Sequence, residues 1–187
     1  MLVLGAAAVA LTACSSPAAR DADGMMGGGS GMGGGSYRYA DSRCAAPSSL
    51  PGTAVRVVLA DMGMSSMMGG TAPRSARMML RTDLVSVPAG QVSFVAVNRG
   101  WRVHELVVLP LAAGAQAGQL AIGSAGKVDE AGSLGEASAS CVEGTGEGIT
   151  SGASGWMTLT LPAGRYELIC NMENHYADGM HQELDVT

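Results

Sequence analysis

The chain has 187 residues, room for one domain with attachments, and 47% of them are apolar but only 4% aromatic, so its core must be built mostly from Val, Leu, Ala and Met. The formal charge of −5 leaves no basic stripe to neutralise phosphates, which argues against nucleic acid as a partner.

The first segment, Met1 to Ala10, is an apolar run that ends in Leu11-Thr12-Ala13-Cys14. This resembles the bacterial lipobox, in which a small residue precedes a cysteine that is acylated and becomes the mature N-terminus. The run is too short to span a bilayer, which needs about 20 apolar residues. An export signal carries basic residues ahead of its apolar stretch, and none stands before Leu2, so the expected start of translation lies upstream of Met1. Residues 1–13 are therefore expected to be a signal peptide, with Cys14 holding a lipid anchor outside the cytoplasm.

Residues 14–50 read as a Gly/Met-rich flexible tether. The stretch from Gly24 to Ser36 has no hydrophobic periodicity and cannot bury enough surface to fold. From Thr53 the pattern changes, and Val55, Val57, Val58 and Leu59 predict a strand. A Met-rich loop follows, Asp61 to Gly70. Met79-Leu80 and Leu84-Val85-Ser86-Val87 predict further strand, ended by Pro88-Ala89-Gly90. Gln91 to Val97 is β-branched and apolar and closes at Asn98-Arg99-Gly100. His104 to Leu109 predicts another strand, stopped by Pro110. Short runs separated by turn residues are the pattern of an all-β sandwich.

Residues 111–155 interrupt the pattern with Ala, Gly, Ser and acidic residues. A loop this long is usually functional or disordered, with room here for short helices around Val128 to Ala137. Strand pattern resumes at Trp156, where Met157, Leu159 and Leu161 share a face, and Pro162-Ala163-Gly164 turns the chain. Tyr166, Leu168 and Cys170 then share a face, with Arg165 and Glu167 opposite, so a period of two aims Cys170 at the core. Leu184 and Val186 end the last strand. The domain is expected over 51–187 with 111–155 as an insertion, which leaves roughly 90 residues for a small sandwich.

The last loop reads Cys170-Asn171-Met172-Glu173-Asn174-His175-Tyr176-Ala177-Asp178-Gly179-Met180. Thiolate, imidazole and thioether are soft or borderline donors that favour copper over calcium or magnesium, and His₂Cys with a weak axial Met is the donor set of blue-copper sites. The loop supplies three of the four, and His104, opening a neighbouring strand, supplies the other. A core-facing Cys is usually an inert small hydrophobe, but Cys, His and Met together on one short loop point to a metal. His181 follows Met180 directly and is expected on the opposite, surface face.

On these residues the chain resembles the cupredoxins, and Cys-x4-His-x4-Met is similar to the spacing in their rusticyanin and sulfocyanin branch. The resemblance implies a Greek-key β-sandwich and one type-1 copper held by His104, Cys170, His175 and Met180. It rests on His104-Glu105-Leu106-Val107-Val108, on the final loop, and on the turns Val87-Pro88-Ala89-Gly90 and Leu161-Pro162-Ala163-Gly164. It further implies that the exposed edge of His175 is the electron port, with Met172, Tyr176, Ala177 and Gly179 as an apolar rim. Two positions depart from it. Family members often carry Asn after the first His, where it pins the ligand loop, and here Glu105 stands there. They often carry Gly before the second His, and here it is Asn174, a residue that tolerates φ > 0.

With Cys14 acylated and Cys170 in the metal motif, Cys44 and Cys141 remain, and in an oxidising compartment they are expected to pair. The function expected is one-electron transfer at the outer face of the cytoplasmic membrane, by a monomer that meets a redox protein partner. The alternative is a copper carrier or resistance protein, because nine of the 13 Met lie between Met25 and Met79 and thioethers bind cuprous ions. Independent catalysis is not expected. Only three His are present, too few for a second copper cluster, and the loop has one Cys where a binuclear centre needs two.

Overall fold

The structure, a computed structural model, describes residues 42–61 and 78–187. The signal peptide, Cys14, most of the tether and the methionines from Met25 to Met68 lie outside the described residues. The fold is a β-sandwich without a helix among the described residues. One sheet has the order β2 (Met78–Thr82), β1 (Thr53–Asp61), β4 (Gly90–Asn98), β7 (Ser154–Leu161). The other has the order β3 (Ser86–Val87), β9 (His181–Val186), β8 (Gly164–Ile169), β5 (Leu106–Pro110), β6 (Gly135–Ala137). Both sheets are mixed: β1 runs parallel to β4 and β3 parallel to β9, and the other pairs are antiparallel.

Alternation decides what enters the space between the sheets. Val55, Val57 and Leu59 on β1 and Val92, Phe94 and Ala96 on β4 are fully buried, as are Leu106, Val108, Leu168 and Leu184 from the facing sheet. Each such large aliphatic or aromatic side chain contributes about 1.5–3 kcal/mol by leaving water. Tyr166, Leu168 and Cys170 join this core together, as the period-two reading of β8 requires. The two Pro-Ala-Gly turns fall where expected, before β4 and before β8.

The remainder differs from the sequence expectation in instructive ways. Of Leu84 to Val87 only the last two residues pair, and Val85 is 65% exposed, because β3 meets β9 only at Ser86 and Val87. His104 is not the first residue of β5; it stands ahead of that strand and pairs with Ile149 in an isolated bridge. The insertion forms no helix around 128–137 but turns and the short strand β6. It covers the outer face of β5 and β8, where Val107, Leu109, Val128, Ile169 and Tyr176 make a second small core with Leu120 against it. Glu167, on that outer face, is consequently fully buried.

Cys44 and Cys141 form the expected disulfide, with an S–S distance of 2.06 Å. Residues 42–50 contain no strand, and the Arg43 N–H donates to Gly152 O at 2.7 Å.

Candidate metal centre

The centre is assembled where three chain segments end together. β1 runs beside β4 with Leu59 opposite Asn98, so Asp61 reaches the turn that leaves β4. Fully buried Asn98 shapes that turn: its Nδ2 donates to Arg102 O and Ile149 O at 2.7 Å each, and its Oδ1 accepts the Gly100 N–H at 2.8 Å. Asp61 Oδ2 accepts the N–H groups of Trp101 at 2.7 Å and Arg102 at 2.8 Å. Gly100 is required here, because a Cβ would lie 2.3 Å from Asp61 Oδ2. The turn delivers His104, whose N–H donates to Ile149 O at 3.1 Å while its own carbonyl accepts the Ile149 N–H at 2.6 Å.

Cys170 follows β8, and its N–H donates to Met180 O at 3.0 Å, closing the ligand loop at its base. Within the loop the His175 N–H donates to Met172 O at 2.9 Å and the Met180 N–H to His175 O at 3.1 Å. Asn174 has φ +66°, the left-handed conformation that Asn tolerates better than most residues.

These backbones bring three donors into one buried cluster. His104 Nδ1 faces His175 Nδ1 at 3.1 Å, and Cys170 Sγ lies 3.3 Å from His175 Nδ1 and 3.8 Å from His104 Nδ1. His104 and Cys170 are fully buried and His175 is 5% exposed. Donors each 2.0–2.3 Å from one ion lie about 3.5 Å apart in a three-coordinate plane, so the observed edges fit a single ion. Met180 is fully buried beside them, its carbonyl bonded to the Cys170 N–H. Two imidazoles and one thiol, on a loop that Met180 closes, are the donor chemistry of a type-1 copper, and the cluster fits one such ion.

The electrostatics leave the imidazole donors free of protons and the thiol protonated until a metal replaces its proton. His104 Nε2–H donates to Asp61 Oδ2 at 3.2 Å, which fixes the tautomer and leaves Nδ1 with its lone pair toward the cluster. Burial alone would raise Asp61, but the His104 and Arg102 hydrogen bonds, the His104 charge and the Trp101 N–H outweigh it and hold the carboxyl at about 2. Burial, with the neighbouring His104 and Arg102 charges, lowers His175 to about 3 and keeps its ring neutral. Burial pushes the Cys170 thiol up to about 12, against the Glu105 N–H that donates to its sulfur at 3.3 Å.

Two expectations need correction. Tyr176 cannot belong to an exposed rim: it is 2% exposed and its hydroxyl donates to Glu167 Oε1 at 2.8 Å. His181 is half-buried rather than free on the surface, with its ring 5.2 Å from that of Tyr176. Asp61 was the residue that sequence reasoning missed. It stands 43 positions before His104 and reads as the start of the Met-rich loop, and only the pairing of β1 with β4 reveals its role.

The family described as sulfocyanin (SoxE) domain matches residues 81–187. Solved structures similar to this chain include a rusticyanin from Thiobacillus ferrooxidans, 17% identical over 76% of this chain and 86% of that one, TM-score 0.43. Auracyanin B is 20% identical over 80% of this chain and 99% of its own, TM-score 0.47. A reduced auracyanin from Roseiflexus castenholzii is 19% identical over 57% and 86%, TM-score 0.39. No curated protein sequence matches the chain.

Proposed function

The chain belongs to the sulfocyanin (SoxE) family, and we propose that it is an extracytoplasmic one-electron carrier whose copper is held by His104, Cys170, His175 and Met180. Bound copper supplies a one-electron couple whose potential depends on the axial donor and the surroundings of the thiolate. The observation that carries the assignment is the buried triangle of His104 Nδ1, His175 Nδ1 and Cys170 Sγ, with edges of 3.1, 3.3 and 3.8 Å.

The chain's own part in electron transfer is to hold those donors still. Asp61 and Ile149 fix His104 from its ring and from its backbone, and the Met180 carbonyl fixes Cys170. Donors that need not move between oxidation states impose little reorganisation. His175 is the most exposed of the four at 5%, with half-buried Met172 and Gly179 and exposed Ala177 near it in the loop. Such an edge suits brief docking on a redox protein, since weak electron-transfer encounters use small interfaces. With residues 1–13 as a signal peptide and Cys14 acylated, this carrier would sit at the outer face of the cytoplasmic membrane. Cys14→Ser should then release it into the soluble fraction, and unchanged membrane association would remove the anchor.

The visible and paramagnetic resonance spectra of the copper(II)-loaded protein test the site. An intense thiolate-to-copper band, lost in Cys170→Ser, is expected, and its absence from the parent would overturn the reading. A second reading, copper acquisition, draws on the residues that bracket the Met-rich loop. Met62, Met64, Met67 and Met68 lie outside the described residues, yet Asp61 before them touches His104, and the Met78 N–H after them donates to Asp178 O at 3.3 Å. Replacing those four methionines with Ser should lower the number of cuprous ions bound; a stoichiometry that stays at one removes this reading.

A further inference from the structure

The geometry points to a positioning role for the insertion: residues 118–130 form a strap that sets Cys170 and His175 in place, with Asn171 as its principal anchor. The inference rests on the copper reading above and adds to it the device that fixes the ligand loop. Glu105, where the resemblance leads one to look for an Asn, meets the loop through its N–H on the Cys170 sulfur and through an Asn171 backbone hydrogen bond to its carboxylate, and the insertion adds a second set of contacts.

Asn171 directly follows Cys170 and is 2% exposed. Its side-chain amide pairs with the backbone of Val128 as a neighbouring strand would: Oδ1 accepts the Val128 N–H at 2.8 Å and Nδ2 donates to Val128 O at 3.0 Å. The second hydrogen of Nδ2 goes to Glu130 Oε1 at 2.6 Å, so both amide hydrogens are used. Asn174 directly precedes His175, and its N–H donates to Gly126 O at 2.8 Å. Tyr176 directly follows His175, and its hydroxyl accepts the Leu120 N–H at 3.0 Å while donating to Glu167. Glu167 Oε1 also accepts the Gly118 N–H at 2.7 Å. The contacts of Asn171, Asn174 and Tyr176 fall on residues adjacent to a ligand, that of Glu167 reaches the loop through the Tyr176 hydroxyl, and every strap partner lies within one short stretch.

The close approach is built into the strap. Gly126 has φ +70°, and a Cβ there would lie 2.5 Å from Asn174 Oδ1. The strap has its own internal closure, in which Gly123 N–H donates to Lys127 O at 2.8 Å and Ile122 pairs with Val128. Outer-shell partners of this kind orient ligands, and their loss typically costs 10–100-fold in affinity or activity.

Asn171→Ala and Gly126→Ala test the strap from its two sides, with Val186→Ala as a core truncation at the far end of β8 and β9, where Val186 pairs with Gly164. In the metal-free protein both strap variants should speed amide hydrogen exchange at Val128 and Asn174, and Val186→Ala should not. In the copper-loaded protein both strap variants should change the intensity ratio of the charge-transfer bands and slow electron self-exchange by about 10-fold. Val186→Ala, though less stable than the parent, should leave both unchanged. The strap is refuted if the Asn171 variant keeps the parent's exchange pattern, bands and self-exchange, or if Val186→Ala shifts them equally. A parent without a thiolate-to-copper band sinks the carrier reading instead, and the metal-free exchange experiment still decides the strap.

Discussion

Asp61 Oδ2 stands 3.2 Å from His104 Nε2, with both side chains almost wholly out of water. The same oxygen accepts the Trp101 and Arg102 N–H groups, so one atom sets both the turn and the imaginary line along which His104 offers its Nδ1. Removing it should hurt stability and metal binding together. Asp61→Ala leaves buried donors unmatched, each at about 1–3 kcal/mol, and should cost 10–100-fold in copper affinity. Asp61→Asn keeps an acceptor oxygen without the charge and should fall between the two. Denaturant unfolding of the metal-free variants and chelator competition for copper give the two scales. Equal affinity in the Ala variant and the parent would show that His104 orients itself.

The Cys44–Cys141 disulfide joins residues 97 positions apart. Cys44 packs at Ser154 on β7, and the Cys141 N–H donates to Ser154 O at 2.7 Å, so the link fastens to the sheet rather than to the ligand loop. Closing a loop of this length restricts the unfolded chain, typically by about 2–4 kcal/mol. The double variant Cys44→Ser/Cys141→Ser should lose about that much stability in denaturant unfolding, with the copper spectrum unchanged. A changed spectrum would mean that the link reaches the site.

What was legible in the sequence follows from how far each signal travels along the chain. Cys170, His175 and Met180 share one loop, so their spacing carried the metal site by itself. The period of two aimed Cys170 correctly, because Tyr166 and Leu168 share its face and the core. The same period put Glu167 on the outer face, which is right, but it says nothing of what covers that face. Only the folded insertion, with Gly118 and Leu120 laid across β8, buries it. Asp61 and Asn171 look like ordinary loop polars until long-range pairing supplies their partners. Leu84 and Val85 show the opposite failure: they look like core strand, yet both side chains are exposed and only the Val85 carbonyl meets β9, where it accepts the Asp185 N–H at 2.9 Å.

Glu105 predicts a pH-dependent potential. Its N–H touches the Cys170 sulfur, its Oε1 is buried without a hydrogen-bond partner, and burial raises its carboxyl to about 7. Lys127 opposes that shift, and the Glu130 and Glu136 charges add to it. Because the folded value lies above the ordinary 4.5, its contribution to stability is complete below that pH and is lost as pH rises through 7. Ionisation also places a negative charge beside the thiolate, which favours oxidised copper. The potential should fall as pH rises through about 7 in the parent and stay level in Glu105→Gln. Voltammetry from acid to alkaline pH measures both, and a level parent would remove Glu105 from the account.

Copper uptake should release a proton from Cys170. The thiol, held at about 12 by burial, stays protonated in the metal-free protein at any ordinary pH, and a thiolate is what binds. His175, held at about 3, is already neutral and gives up none. Affinity should therefore rise about tenfold per pH unit on account of the thiol alone. The two residues also act oppositely on the metal-free fold. For His175 the folded value is depressed below 6.5, so stability is present above that pH and is lost as pH falls toward 3. For Cys170 the folded value is raised above 9.0, so stability is present below that pH and is lost only as pH rises through 12. On account of these two residues metal-free protein should lose thermal stability on acidification, while the loss expected as pH rises through about 7 is that of Glu105 and should be missing in Glu105→Gln. Calorimetric titration with copper in buffers of different ionisation enthalpy counts the proton. An affinity that does not change with pH would mean that the thiol is not the group that binds.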